Sequence, residues 1–200
     1  MTVPVRGRRL EPDARREEIL DGALRLFSDH PYAAVSTTDI AGEAGVARGL
    51  INHYFGTKRG LYLEVVRRLT LIPEMAVDEL PPGTLGQRAG AAVDWFLDAV
   101  ARHRGLWLAV GTGASGDPDV DAILAEADEI AADRVLAALV PGGHGSELIR
   151  ARIRSFFGLV RSASREWLVR GTMDRARTRE LLVAVLLTVL DPGESPSSQV

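Results

Sequence analysis

Apolar positions recur along most of this chain at the three-to-four-residue spacing of helices that bury one face. Over residues 13 to 29, Ile19, Leu20, Ala23, Leu24, Leu26 and Phe27 form one stripe, Arg15, Arg16, Glu17 and Asp21 lie outside it, and Pro31 ends the segment. Ser36 with Asp39 three residues on is a capping box in slightly altered form and opens a second helix. Gly56 sits just past a third helix, where a left-handed cap is expected. A fourth runs from about Thr57 towards Ile72 and is bent or ended by Pro73. After the break Leu80-Pro81-Pro82-Gly83, Thr84 and Gln87 form another capping box, opening a helix to about His103. The chain breaks again over Gly111 to Gly116, and Asp117-Pro118-Asp119 then starts a helix to Leu139. Pro141 to Gly145 is a loop, Ser146 opens a long helix to about Arg170, and a last helix runs from near Arg175 to Leu190. No strand pattern and no internal repeat is visible, so the expected fold is all-α, with about nine helices.

The run from Ser36 to Tyr62 carries a more specific signal. Two short helices that cross steeply need a small side chain where they touch, and Ala41, fifth from Thr37, supplies it. The turn between them wants positive φ, and Gly45, ninth, adopts it at no steric cost. Ile40, Ala44, Val46 and Ile51 complete an inner apolar face. Such an element pushes its second helix outward, into a DNA major groove.

Val46-Ala47-Arg48-Gly49-Leu50-Ile51-Asn52-His53-Tyr54-Phe55, followed by Gly56-Thr57-Lys58, resembles the recognition helix and following turn of the TetR family of transcriptional regulators. There the usual order is a small polar residue, a basic residue, Gly, an apolar and a variable residue, His-Tyr-Phe and a short turn ending in Lys. The resemblance is strong over roughly residues 13 to 70 and is one of layout beyond. It implies a helix-turn-helix DNA-binding head at 13–62, a larger helical ligand-binding and dimerisation domain at 63–190, a flexible basic arm at 1–12 and a disordered tail at 191–200. On this likeness Arg48 would pair with guanine O6 and N7, Gly49 would let the backbone approach, and Asn52 would meet adenine directly or through water. His53 would touch a phosphate or base edge, Tyr54 a phosphate, and Lys58 a phosphate at the start of the fourth helix; Thr37 and Thr38 would contact the backbone or a base edge. Tyr54 is equally readable as core, and Phe55 is assigned to core. Leu50 stands where Thr or Ser is usual and Asn52 where Tyr is common, which leaves the operator open. Arg6, Arg8 and Arg9 would either enter a minor groove or stay solvated.

Composition changes this picture little. Net charge is −3, but residues 1–70 hold 11 Arg/Lys against 9 Asp/Glu and residues 71–200 hold 13 against 18, a modest basic bias in the head. Lys58 is the single lysine. Absence of cysteine excludes disulfides and thiolate metal sites, no signal-peptide pattern opens the chain, and Leu181 to Leu190 is too short to span a bilayer. A cytoplasmic protein with no membrane partner is expected. His30, His53, His103 and His144 are scattered, Asp117, Asp119 and Asp121 read as an acidic helix start, and no phosphate loop or nucleophile elbow is present, so neither catalysis nor a cofactor is expected.

The stripes Ile149, Ile153, Phe156, Phe157, Val160, Trp167 and Leu181, Leu182, Val185, Leu186, Val189 suit a four-helix homodimer interface, typical of the family, although part of each must pack within one protomer. The arginines among them, from Arg150 to Arg170, read as a solvated, ion-paired face. Trp95, Phe96, Trp107 and Phe156 are candidate lining residues for a small apolar effector, with Met75, Thr112 and Ser115 nearby in sequence. The expected protein is a repressor that binds a palindromic operator as a dimer and is released by that effector. A ligand-independent regulator controlled by a partner protein is the alternative, and an all-helical enzyme the remaining class.

Overall fold

The computed structural model describes residues 12–71, 80–110, 116–140 and 146–191. Arg6, Arg8, Arg9, Met75, Thr112, Ser115, His144 and the segment 192–200 lie outside the described residues. Helices α1 (Pro12–Asp29), α2 (Thr37–Glu43), α3 (Gly49–Phe55) and α4 (Lys58–Thr70) come first, with one 3-10 turn at Tyr32–Ala34. Helices α5 (Leu85–Arg102), α6 (Arg104–Val110), α7 (Pro118–Leu139), α8 (Glu147–Arg165) and α9 (Arg175–Leu190) follow. No strand occurs among the described residues, and the fold is all-α.

The helix starts form where local chemistry places them. Ser36 Oγ accepts the Asp39 N–H at 3.1 Å while Asp39 Oδ2 accepts the Ser36 N–H at 2.8 Å, a complete capping box that holds the Asp39 carboxyl below its ordinary pKa. Thr84 and Gln87 form a second such box, and Thr57, Asp117, Ser146 and Asp174 cap α4, α7, α8 and α9 through one side-chain oxygen each.

Three boundaries differ from the sequence reading. Helix α4 stops at Thr70, with Leu71 already extended. The expected helix to Arg170 is α-helical only to Arg165; Glu166–Arg170 widen into a π turn that Gly171 (φ 66°) ends, the Glu166 carbonyl accepting the N–H groups of Gly171 and Thr172. Helix α6 was not anticipated as a separate element. His103 (φ −115°, ψ 35°) breaks the run after α5, and only seven residues follow, too few for periodicity to announce.

Two apolar clusters result. Ile19, Ala23, Phe27, Ile40, Ile51, Leu61, Val65 and Val66 fill the first, which continues into Leu106 and Val110 of α6 and Val120 and Ile123 of α7. The second joins α5, α7, α8 and α9 around Leu97, Leu136, Ile153, Phe156, Leu182 and Leu186. Helix α1 meets α6 so closely that a Cβ on Gly105 would lie 2.0 Å from the Ser28 carbonyl oxygen. Beside that contact Ser28 Oγ lies 3.0 Å from His103 Nδ1 and donates its own proton to the Leu24 carbonyl at 2.7 Å. Arg59 Nη2 reaches Asp117 at 2.5 Å and Asp119 at 3.1 Å, joining α4 to the start of α7.

Candidate nucleic-acid interface

Ile40 and Ala41 of α2 and Ile51 of α3 are buried in the head cluster, all at most 5 % exposed, with Ala44, Val46 and Leu50 half-buried at the margin. Gly45 turns the chain at φ 63°, and the Val46 N–H closes the turn onto the Ala41 carbonyl at 2.9 Å. The inner face expected from sequence is therefore the one that packs. Leu50, at a position where a hydroxyl is usual, instead adds apolar contact to the head core.

With that face buried, α3 presents Gly49, Asn52 and His53 to solvent, and Arg48 is exposed at its N-terminal end. Thr38 is exposed and Thr37 half-buried at the start of α2. Tyr54 and Phe55 are both half-buried against the head core, the Tyr54 ring 5.0 Å from that of His53 and the Phe55 ring under the Arg16 guanidinium at 5.1 Å. Gly56 has φ 71° and ψ −58°, a positive-φ cap outside the left-handed helical well.

Two bonds were not visible in the sequence. Arg48 Nε donates to Thr37 Oγ1 at 3.1 Å, tying the start of α3 to the start of α2. Lys58 Nζ donates to the Tyr32 carbonyl at 2.6 Å and stands 4.1 Å from the centre of the Tyr32 ring. Tyr32 itself stacks among Phe27 and Tyr62. No local pattern around Pro31-Tyr32 signals this, because the partners are separated by 26 residues. A lysine ammonium has three protons, so the Tyr32 bond leaves capacity for a phosphate.

In the body, Trp95, Phe96 and Phe156 line one apolar cavity of about 70 Å³ between α5, α7, α8 and α9. Trp107 lines two smaller adjoining spaces and meets Phe96 edge to face at 5.3 Å, so these two rings partition the cavity system. Ligand pockets are typically about 300–1,000 Å³, so a ligand of ordinary size must displace side chains here. On the outer face of α8 and α9, Leu148 is 62 % exposed, and Ala151, Leu159, Val185 and Val189 form a shallow apolar groove. Ile153, Phe156, Val160, Leu182 and Leu186 of the sequence stripes turn inward instead. Three arginines of α8 pair with α7, Arg154 with Glu129 at 3.1 Å, Arg150 with Asp133, and Arg161 with both oxygens of Asp128 at 2.8 Å, while Arg152 donates to the Asp191 carbonyl at 3.2 Å.

A two-helix unit that buries one face, exposes a short second helix and stands on an all-helical body defines a helix-turn-helix DNA-binding regulator. Residues 19–65 match the model of bacterial regulatory proteins of the tetR family, and residues 85–189 match the tetracyclin repressor-like C-terminal domain. The chain belongs to the TetR family and is a DNA-binding transcriptional regulator rather than an enzyme. It is 32 % identical over 176 residues to the HTH-type transcriptional activator FasR of Mycolicibacterium smegmatis, covering 82 % of this chain and 76 % of that protein. It is 29 % identical to the HTH-type transcriptional regulator BetI of Escherichia coli, covering 77 % and 80 %. Among solved structures, a tetR-family regulator from Streptomyces coelicolor superposes with a TM-score of 0.72 at 25 % identity, over 90 % of this chain and 82 % of the other. A putative TetR-family regulator from Rhodococcus sp. gives 0.71 at 16 % identity, over 89 % and 99 %, which bears on the fold alone. No described helix is long and apolar enough to cross a membrane.

Proposed function

We propose that two copies of this chain bind a palindromic operator, that the bound dimer represses transcription in the cytoplasm, and that a small apolar effector releases it. The exposed row Arg48, Gly49, Asn52 and His53 on a helix anchored by Ile51 carries the reading. Arg48 reads guanine and Asn52 adenine. His53 and Tyr54 approach the backbone from α3, Thr37 and Thr38 do so from α2, and Lys58 neutralises a phosphate. The head spans residues 13–62 and the body 63–190. One head makes few contacts, so pairing through the apolar groove of α8 and α9 doubles the interface and matches the two-fold symmetry of the site.

For the effector, the support is the apolar cavity bounded by Trp95, Phe96 and Phe156. Because it must widen to admit a ligand, binding favours a rearranged body over the unliganded one, and that difference in affinity is what shifts the heads. Trp107 lines the spaces adjoining that cavity and stands against the Phe96 ring, on the same seven-residue helix as Gly105, which lies close against α1. A ligand that moves Trp107 therefore pushes on the head through α6. The relative from Mycolicibacterium smegmatis is named a transcriptional activator, which supports a second reading in which the bound dimer recruits polymerase instead of blocking it.

Selection of bound duplexes from a random pool tests the first step. The wild-type protein should enrich a palindrome, Arg48→Ala should lose discrimination at one symmetric base pair, and Lys58→Ala should weaken all sequences alike. Enrichment of asymmetric sites would remove the dimer from the proposal, and no enrichment at moderate salt would remove sequence-specific binding by the unliganded protein.

A further inference from the structure

We infer that Thr37 is a positioning residue for base recognition: by accepting a hydrogen bond from Arg48 Nε, it fixes the plane of the guanidinium that reads the operator. The inference rests on the proposed DNA role of Arg48 and extends it to the residue behind it. Arg48 is exposed and its side chain has four rotatable bonds, so in isolation its guanidinium would sample many orientations. Among the described residues its guanidinium makes one hydrogen bond, the 3.1 Å contact from Nε to Thr37 Oγ1. A guanidinium has five N–H protons in one rigid plane. Committing the Nε proton leaves the four on Nη1 and Nη2, the outward edge, free to form a parallel pair of bonds with a guanine.

Thr37 is well placed to act as the fixed partner. It is the first residue of α2, where the Ser36–Asp39 capping box pins the backbone on both sides, and its own side chain is half-buried. A hydroxyl that accepts from Arg48 still has a proton to donate. In the complex that proton is available to a DNA phosphate, so one side chain links a backbone contact to a base contact. Ordering a long side chain before binding removes an entropic cost worth about 2- to 10-fold in affinity for the matched site.

The test is duplex selection followed by titration of the enriched operator and of variants at each base pair, with wild-type protein, Thr37→Ala, Thr37→Val, Thr37→Ser and Arg48→Ala. Arg48→Ala should lose about 5- to 150-fold discrimination at one symmetric base pair. Thr37→Ala and Thr37→Val should lose about 2- to 10-fold at that same pair, more than at any other, and Thr37→Ser should restore it. In the Arg48→Ala background, Thr37→Ala should cost nothing further at that pair. Helical circular dichroism and melting of each variant separate a misfolded head from a mispositioned arginine. If the Thr37 variants weaken every sequence equally, with the salt dependence unchanged because a hydroxyl displaces no counterion, Thr37 is a phosphate ligand only and the inference fails. If wild-type protein enriches no sequence, the DNA role of Arg48 fails first and takes the inference with it.

Discussion

Replacing Gly105 by alanine tests whether the body sets the position of the head. The added methyl would lie 2.0 Å from the Ser28 carbonyl oxygen, a separation that real Cβ atoms do not show. The obstacle is main chain near the end of α1, so no side-chain rotamer relieves it, and α1 must part from α6 by about 1 Å or more. Overpacking of this kind costs about 1–3 kcal/mol, and a backbone clash belongs at the upper end. Alanine is a better helix former than glycine and returns at most about 1 kcal/mol. The net loss is then about 2 kcal/mol, which for a chain of this length lowers the melting temperature by about 4–8 °C. Melting followed by circular dichroism at fixed protein concentration measures it, and titration of the selected operator with the same samples measures the consequence for binding. Operator affinity should fall along with stability, because both heads must meet the DNA in one register. A variant that melts within a degree of wild type, or that melts lower yet binds the operator unchanged, would show that the α1–α6 contact does not position the head.

The same junction should respond to pH. Burial lowers the pKa of His103, opposed by Asp29 and assisted by Arg102, so the folded state prefers the neutral ring and its contribution is fully present above the ordinary histidine pKa. That contribution is lost as pH falls from about 7 through the depressed folded value, and the wild-type melting temperature should decline over this range more than that of His103→Gln; parallel curves would refute it. For the dimer, Val185→Glu or Leu159→Glu places a charge in the apolar groove of α8 and α9, where two-fold symmetry brings it against its copy. Sedimentation should give a dimer for the wild type and a protomer for either variant, and dimers throughout would move the interface elsewhere.

Which parts of the molecule could be read from the chain depends on how far apart the interacting residues are. Capping is a three-residue affair, so Ser36 with Asp39 and Thr84 with Gln87 announce α2 and α5 directly. The inner face of α2 and α3 was legible because Ile40, Ala41 and Ile51 follow helical spacing on either side of a glycine with positive φ. The outward face of α3 then follows by subtraction, which is why Arg48, Asn52 and His53 are exposed as expected. What the spacing cannot carry is the environment of each exposed group. Arg48 meets Thr37 across 11 positions and Lys58 meets Tyr32 across 26, and no periodic rule links residues that the tertiary fold alone brings together.

The same limit explains α6. Seven residues give barely two turns, and Leu106, Trp107 and Val110 read equally well as a ragged extension of α5. Its significance lies in what it touches. Gly105 and Trp107 are two positions apart, so they project from different sides of the helix; one is pressed on the Ser28 carbonyl of α1 and the other on the Phe96 ring. Leu106 and Val110 of the same helix are buried in the head cluster and Trp107 in the body cluster, so α6 is held on both sides at once. Any group that forces Phe96 and Trp107 apart must therefore move α6 as a body, or open a gap beside it, and the absence of a side chain at Gly105 leaves the head no cushion against that motion.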